Sequence, residues 1–200
     1  MNNYYVDMFK IPLLHLEVTD WETKKEQLKE LFDFRGYNNT EVDGMTSDYL
    51  YKVDSGNIQK NNDEIDRILL KEIGLFKDFF EFSDHEIIIS WFQRTLNGQY
   101  HGVHNHGSSG YTGVCYIDYD PKVHEPTKFI APFNHFIRTD TLHFSPSNIN
   151  EGSLVFFPSV INHYAEANHT NVPRTILSFN LKLKMKDHNT SDQIFDKLNY

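Results

Sequence analysis

Two histidines two residues apart, His104 and His106 in YHGVHNHGSS, are the residues of this sequence best spaced for chemistry. In extended backbone such residues point to the same face, with Cα atoms roughly 6.5–7 Å apart. Imidazoles leaning inward from that pair can share one divalent ion at about 2.0–2.1 Å per bond. The motif is weak by itself, because two polar residues at a strand end read the same way. His101 falls on the opposite parity of an extended segment and is expected to be a neighbour, not a ligand. A third ligand has to come from elsewhere, and His163, just past the strand-like GSLVFFPS, is the best candidate. Arg174 follows eleven residues later at the head of RTILSFNLKL. In that segment Arg174, Ile176, Ser178 and Asn180 share one face, and Thr175, Leu177, Phe179 and Leu181 share the other. A polar face that carries an arginine suits a cavity for a carboxylate, which a guanidinium grips through paired donors. For each residue singly, an exposed strand face is the plain alternative.

Composition narrows the chemistry. The chain has 200 residues, eleven histidines and one cysteine, so any metal site must be built mostly from imidazole. The single cysteine excludes an internal disulfide framework and a Cys-rich zinc or iron–sulfur site. Cys115, inside YTGVCYI, reads as a buried small hydrophobe. A net charge of −9 gives no electrostatic help with phosphate backbones, so neither nucleic acid nor an anionic membrane is expected as a partner. Aromatic residues at 14% argue against disorder. The N-terminus lacks a basic start followed by an apolar stretch, and no run approaches the roughly 18 apolar residues of a membrane span. A cytoplasmic protein, of a bacterium or of a phage-infected host cell, is expected.

Two helices and a set of strands must position these side chains. Thr19-Asp20-Trp21-Glu22 opens the first helix, with Asp20 or Thr19 as N-cap; Leu28, Leu31 and Phe32 recur at helical spacing, and Arg35-Gly36 ends it. The second is expected from about Asn62 to Phe80, with Ile65, Ile68, Leu69, Ile73 and Phe76 on one face and Glu72 as a misplaced charge within it. From residue 86 the pattern turns to strands: HEIIISWFQRTL, the Asn97-Gly98 turn signal, then YTGVCYIDY, TKFIAPF, SLVFFPS and RTILSFNLKL. Short strands without intervening helices favour a sandwich or barrel. Pro121 to Ser147 reads as a long insert, either a lid or substrate loop or a surface hairpin, and its His124, His135 and His143 are not expected to be ligands. Ile194, Phe195 and Leu198 of the polar tail are expected to form a short helix or to fray.

The blocks SWFQRTLNGQYHGVHNHGSSGYTGVCYIDY, EGSLVFFPSVINHYAEAN and RTILSFNLKL together resemble the iron(II)/2-oxoglutarate-dependent oxygenases. The likeness is nearest to small phage and bacterial oxygenases related to the prolyl 4-hydroxylases. It rests on Trp91, Gly98, His104-Asn105-His106, Thr112 to Tyr116, Phe157-Pro158-Ser159, His163, and Arg174 through Asn180, and covers about residues 86 to 184. The resemblance implies a mainly β fold with helical cover: a double-stranded β-helix, the cupin-like jelly roll, packed by N-terminal helices. It implies one domain with a cover region at 1–85, an oxygenase core at 86–184 and a tail at 185–200. It places His104, His106 and His163 as catalytic iron ligands. Arg174 takes the distal carboxylate of 2-oxoglutarate, and Tyr116, Ser178 and Asn180 line the co-substrate pocket. Fe(II), 2-oxoglutarate and O2 are then required, with ascorbate as reductant. The reaction is hydroxylation of a C–H bond in a peptidyl or small-molecule substrate, with release of succinate and CO2.

One position departs from that family's usual pattern. His106 stands where most members carry Asp or Glu, so three neutral imidazoles replace two imidazoles and a carboxylate. Glu166 and Asp118 are acids that a carboxylate ligand from outside the motif could come from. A three-histidine set also suits zinc. Two other readings therefore stay open from the residues: a three-histidine jelly roll without 2-oxoglutarate chemistry, as a cupin-type dioxygenase or zinc site, and a non-enzymatic phage structural or binding module.

Overall fold

The computed structural model describes residues 10–32 and 44–186. Strand β1 (Leu14–Glu17) leads into helix α1 (Trp21–Lys29). A two-residue strand β2 (Thr46–Ser47) precedes helices α2 (Tyr49–Ser55), α3 (Ile58–Ile68) and α4 (Leu70–Phe80). Eight strands follow: β3 (Phe82–Thr95), β4 (His101–His104), β5 (Tyr111–Asp118), β6 (Lys128–Asn134), β7 (Thr141–Phe144), β8 (Ser153–Pro158), β9 (His163–Ala165) and β10 (Arg174–Met185). No helix among the described residues is long and apolar enough to cross a membrane.

The strands form two antiparallel sheets, one of six strands in the order β1-β8-β5-β10-β3-β2 and one of four in the order β4-β9-β6-β7. Apart from β2–β3 and β6–β7, neighbours in both lists are not consecutive along the chain, which is the crossed connectivity of a jelly roll. Both edges of the larger sheet, β1 and β2, come from the N-terminal 85 residues, so that stretch contributes strands as well as helical cover.

The side-chain period of two sorts the core. On β10, Leu177, Phe179 and Leu181 point outward and join Cys115, Ile117, Leu154 and Phe156 against Ile65, Ile68, Leu69, Ile73 and Phe76 of the helices. Cys115 is fully buried there, and burial pushes its thiol far up, so it stays protonated and inert. The alternate residues of the same strands, Val114, Tyr116, Val155, Phe157 and Ile176, face the smaller sheet and pack with Phe129, Ile149 and Ile161. Gly113 permits the outer packing: a Cβ there would lie 2.3 Å from the Phe179 ring.

Several local expectations are corrected. The second helix is two, α3 and α4, with Leu69 between them at φ −98° and ψ 15°. Glu72 is not misplaced but is fully buried, accepting from Thr19 N at 2.9 Å, Thr19 Oγ1 at 2.8 Å and Lys24 Nζ at 2.8 Å. Burial alone would raise its pKa; the Lys24 and Thr19 donors outweigh that and lower it, so the carboxylate stays charged and ties α4 to α1. Thr19 is thereby drawn away from capping; Asp20 is the N-cap residue of α1, as expected, but at φ 54° it makes no side-chain cap bond. Of the two readings of the 121–147 stretch, the hairpin is the one observed, but it is not merely a surface insert: β6 and β7 pair antiparallel and β6 also pairs with β9, so it builds half of the smaller sheet. The end of the first helix at Arg35-Gly36 and the terminal Ile194, Phe195 and Leu198 lie outside the described residues.

Candidate metal centre

His104 and His163 face each other across the β4–β9 ladder, and His106 follows where the chain turns from β4 toward the larger sheet. His106 N donates to Ser159 O at 2.9 Å, and Asn105 Nδ2 donates to Asn162 Oδ1 at 2.8 Å, which pins this turn to the segment between β8 and β9. The three rings stand 4.2–5.2 Å apart between centroids. One ring nitrogen from each lies within 4.8 Å of the others, a set that could hold one metal ion. No carboxylate joins that set among the described residues. Glu166 pairs instead with Lys128 at 2.7 Å, and Asp118 with Lys29 at 3.2 Å and Lys25 at 3.7 Å.

The hydrogen bonds behind the rings fix which nitrogen carries the proton. Nδ1 of His104 lies 2.8 Å from Gly102 O, and Nδ1 of His163 lies 2.9 Å from Ile161 O. A carbonyl oxygen carries no proton, so each Nδ1 must donate and each Nε2 keeps its lone pair. His106 Nδ1 is 2.7 Å from Asn180 Oδ1, which makes the same assignment for the third ring. Burial, the larger cause, and the neighbouring imidazoles lower the pKa of His163 to about 2; burial and His104 lower that of His106 to about 4, against the opposing Asn180 bond. All the rings so described are neutral near pH 7, the state that ligates metal. The donor set therefore fits a divalent ion.

His101 stacks on His104 at 3.8 Å between centroids and shares a 3.2 Å contact between Nδ1 and Gln93 Nε2. Strict alternation would put it on the other face. The ladder pairs His101 with Ala165 and His104 with His163, so three steps on β4 match two on β9, and this bulge turns His101 inward. It remains a neighbour of the set and not a member.

Arg174 is buried at 4% exposure on the inner face of β10. Nη2 donates to Thr127 Oγ1 at 3.3 Å, the guanidinium lies 5.5 Å over the Tyr116 ring, and Nε has no partner. No acid pairs with it among the described residues. Tyr116 Oη accepts from Thr127 N at 3.0 Å, so Tyr116, Thr127 and Arg174 form one cluster. Thr127 and Ser178 line a narrow cavity of about 10 Å³ that also touches His104, His163, His101 and Gln93. That is room for about one water molecule. A buried cation without an anion, next to such a cavity, has the chemistry to pair with a carboxylate.

Asn180 differs from expectation. It sits on His106 and not along the cavity with Ser178. It also borders an open cavity of about 340 Å³ beside the histidines, lined by Met45, Ser47, Tyr49, Ile89, Trp91, Gln93 and Asn105 with His101, His104 and His106. None of these residues is an acid, lysine or arginine. Trp91 meets His106 edge-on at 5.2 Å and Tyr49 at 5.5 Å. A separate cavity of about 380 Å³, lined by Leu13, Phe129, Phe133, Phe144 and Phe157 among others, contains no metal-binding set. The insert histidines are accounted for elsewhere: His124 is buried between Asp120 N and Val172 O, His135 accepts from the turn at Ile137 and Arg138, and His143 contacts Tyr164. Gln93, Thr127, Tyr49 and Thr112 were not singled out from sequence as site residues. For Gln93 and Thr112 only the alternation of their strands offered a signal, and it does not say which strands will face each other; Tyr49 on α2 and Thr127 before β6 carried none.

Residues 89–180 match the family model described as "Putative 2OG-Fe(II) oxygenase". No curated protein matches this sequence. Among solved structures, the non-heme alpha-ketoglutarate-dependent epimerase SnoN of nogalamycin biosynthesis is 12% identical, with a TM-score of 0.60 over 86% of this chain and 77% of its own. The viral collagen prolyl hydroxylase of Paramecium bursaria Chlorella virus-1, solved as a 2OG complex, is 10% identical, with a TM-score of 0.54 over 84% of this chain and 94% of its own. An oxidoreductase of the 2OG-Fe(II) oxygenase family from Burkholderia pseudomallei is 16% identical with a TM-score of 0.44, and this chain spans 54% of its length. The first two likenesses show the fold, the double-stranded β-helix. The sequence match over 89–180 makes that part of the chain similar to the iron(II)/2-oxoglutarate-dependent oxygenases.

Proposed function

We propose that His104, His106 and His163 hold iron(II) through their Nε2 atoms and that Arg174 holds the distal carboxylate of 2-oxoglutarate. The observation that carries this reading is the commitment of all three Nδ1 protons to oxygen acceptors, which turns three lone pairs toward one point. When bound, the metal and 2-oxoglutarate with O2 supply the oxidising power: the co-substrate is split to succinate and CO2, and a substrate C–H bond is hydroxylated. The chain's own part is geometric and electrostatic. Tyr116 and Thr127 orient the Arg174 guanidinium, whose burial in a low-dielectric wall strengthens its hold on an anion. Ser178 lines the narrow cavity beside the histidines, where it would meet the co-substrate. Three neutral imidazoles leave the centre one positive charge richer than a site with a carboxylate ligand.

The 340 Å³ cavity beside the rings is the place for the substrate. Its wall of aromatic faces, amides and the Ser47 and Tyr49 hydroxyls has no acid, lysine or arginine to answer a charged group, so it favours an uncharged peptidyl or small-molecule portion. The test is succinate formation from 2-oxoglutarate with Fe(II) and ascorbate. Wild type is expected to form succinate above the protein-free level even without substrate, and His163→Ala to lose it together with the metal. Wild type at the protein-free level, with iron shown to be bound, would refute the reading.

A further inference from the structure

His106 stands where the family's usual pattern places an acid, and a histidine raises a difficulty that an acid does not. A carboxylate offers lone pairs on both oxygens, whereas an imidazole ligates only through the nitrogen that has lost its proton. For His104 and His163 the choice is settled by main-chain carbonyls two residues upstream, Gly102 and Ile161. His106 depends on side chains from other strands: Asn180 Oδ1 on β10 at 2.7 Å, the nearer, and Thr112 Oγ1 on β5 at 2.9 Å. An amide can turn. With its NH2 group toward His106, Nδ1 would have to accept, the proton would move to Nε2, and the ligand position would be closed.

What holds the amide oxygen inward is a second hydroxyl network. Thr112 Oγ1 donates to Asn180 Oδ1 at 3.0 Å, and Thr112 Oγ1 lies 2.9 Å from Ser159 Oγ. Thr112 and Ser159 are fully buried, and Asn180 is 9% exposed. Ser159 also fixes the backbone of His106 through its carbonyl. One arrangement of protons satisfies all four groups: Ser159 donates to Thr112, Thr112 donates to Asn180 Oδ1, and His106 Nδ1–H is shared between that Oδ1 and Thr112 Oγ1.

We propose that Asn180, held by Thr112, is the positioning residue that makes His106 a metal ligand, and that this His–Asn pair stands in for the acid. The proposal rests on the three-histidine reading of the metal centre. It assigns Asn180 to the metal side of the site instead of to the co-substrate. It also predicts that a carboxylate at 180 serves at least as well, since Asp accepts on either oxygen and makes the imidazole more electron-rich.

The experiment is a Co(II) titration of metal-free protein, read by the visible spectrum of the bound ion and by competition with a chelator. The proteins are wild type, His104→Ala, Asn180→Leu and Asn180→Asp. Wild type is expected to bind and His104→Ala to lose binding. Asn180→Leu, similar in size but without an acceptor, should bind 10- to 100-fold more weakly, while Asn180→Asp binds within threefold of wild type or tighter. A merely structural role predicts the reverse order, because a buried carboxylate disturbs packing more than a leucine does; thermal melts of the metal-free variants record that separately. Asn180→Leu equal to wild type, or Asn180→Asp as weak as a folded Asn180→Leu, overturns the proposal alone. Wild type that fails to bind, or binds no better than His104→Ala, overturns the three-histidine reading and this proposal with it. If Asn180→Leu does not fold, the zinc-loaded wild type decides by nitrogen NMR: a protonated Nδ1 on His106 supports the proposal, and a protonated Nε2 overturns it.

Discussion

Replacing Arg174 by methionine should make the metal-loaded but co-substrate-free protein more stable while destroying its grip on 2-oxoglutarate. The guanidinium is 4% exposed, its Nε has no partner, and its side-chain hydrogen bonds go only to neutral groups, Tyr116 and, at a long 3.3 Å, Thr127. Burial lowers its pKa, yet a guanidinium keeps its proton, so the free protein carries an uncompensated charge in its interior. Methionine keeps much of the packing on Tyr116 and removes that charge. Substituting buried ionic groups by apolar ones of similar volume stabilises by about 1–4 kcal/mol, and for a chain of this size each kcal/mol moves Tm by about 2–4 °C. With 2-oxoglutarate the sign reverses. Removing one partner of a buried charge pair costs about 3–5 kcal/mol, which is roughly two to nearly four orders of magnitude in Kd. The assay is thermal unfolding with zinc present, with and without 2-oxoglutarate. At about 100 times its Kd the co-substrate stabilises wild type by about 2.7 kcal/mol and should leave the variant's Tm unmoved. A variant that melts several degrees below wild type, and still shifts with 2-oxoglutarate as wild type does, would show that Arg174 is a structural cation and that the carboxylate is held elsewhere.

Two further outcomes follow from the packing and the electrostatics. The metal-free protein should lose stability as pH falls below about 6.5: unfolded histidines take up protons there, whereas burial holds His106 down at about 4 in the fold. Because its pKa is lowered on folding, the loss begins at the unfolded value and is complete only below about 4, contributing up to about 3 kcal/mol from this ring. Urea unfolding of metal-free protein across pH 7 to 4 measures it, and a flat profile contradicts the buried neutral rings. Gly113→Ala should destabilise by about 1–3 kcal/mol or more, because its Cβ would fall 2.3–2.7 Å from ring atoms of a fully buried Phe179. Wild-type stability in the same unfolding assay would contradict the placement of Gly113 under that ring.

The sequence by itself determined what depends on local period. Alternation on β10 separated Arg174, Ile176, Ser178 and Asn180 from Leu177, Phe179 and Leu181, and both sets lie on the faces so predicted. The spacing of His104 and His106 put two imidazoles on one side, and a strand followed by a turn delivered His163 to them. Cys115 was legible as core because its neighbours are apolar on both parities.

Tertiary structure alone decided which of these faces meet. Asn180 shares a face with Arg174, but strand order hands it to His106, and no period along β10 records what stands opposite each residue. A one-residue bulge in β4 reverses the parity of His101. Glu72 breaks an apolar helix face because its partners, Thr19 and Lys24, lie about fifty residues away. The stretch that reads as an insert becomes half of the smaller sheet because β9, a three-residue strand too short to carry a pattern, pairs with it. Periodicity is fixed by neighbours along the chain. Pairing is fixed by the total burial and hydrogen bonding of strands that the chain connects only through long loops.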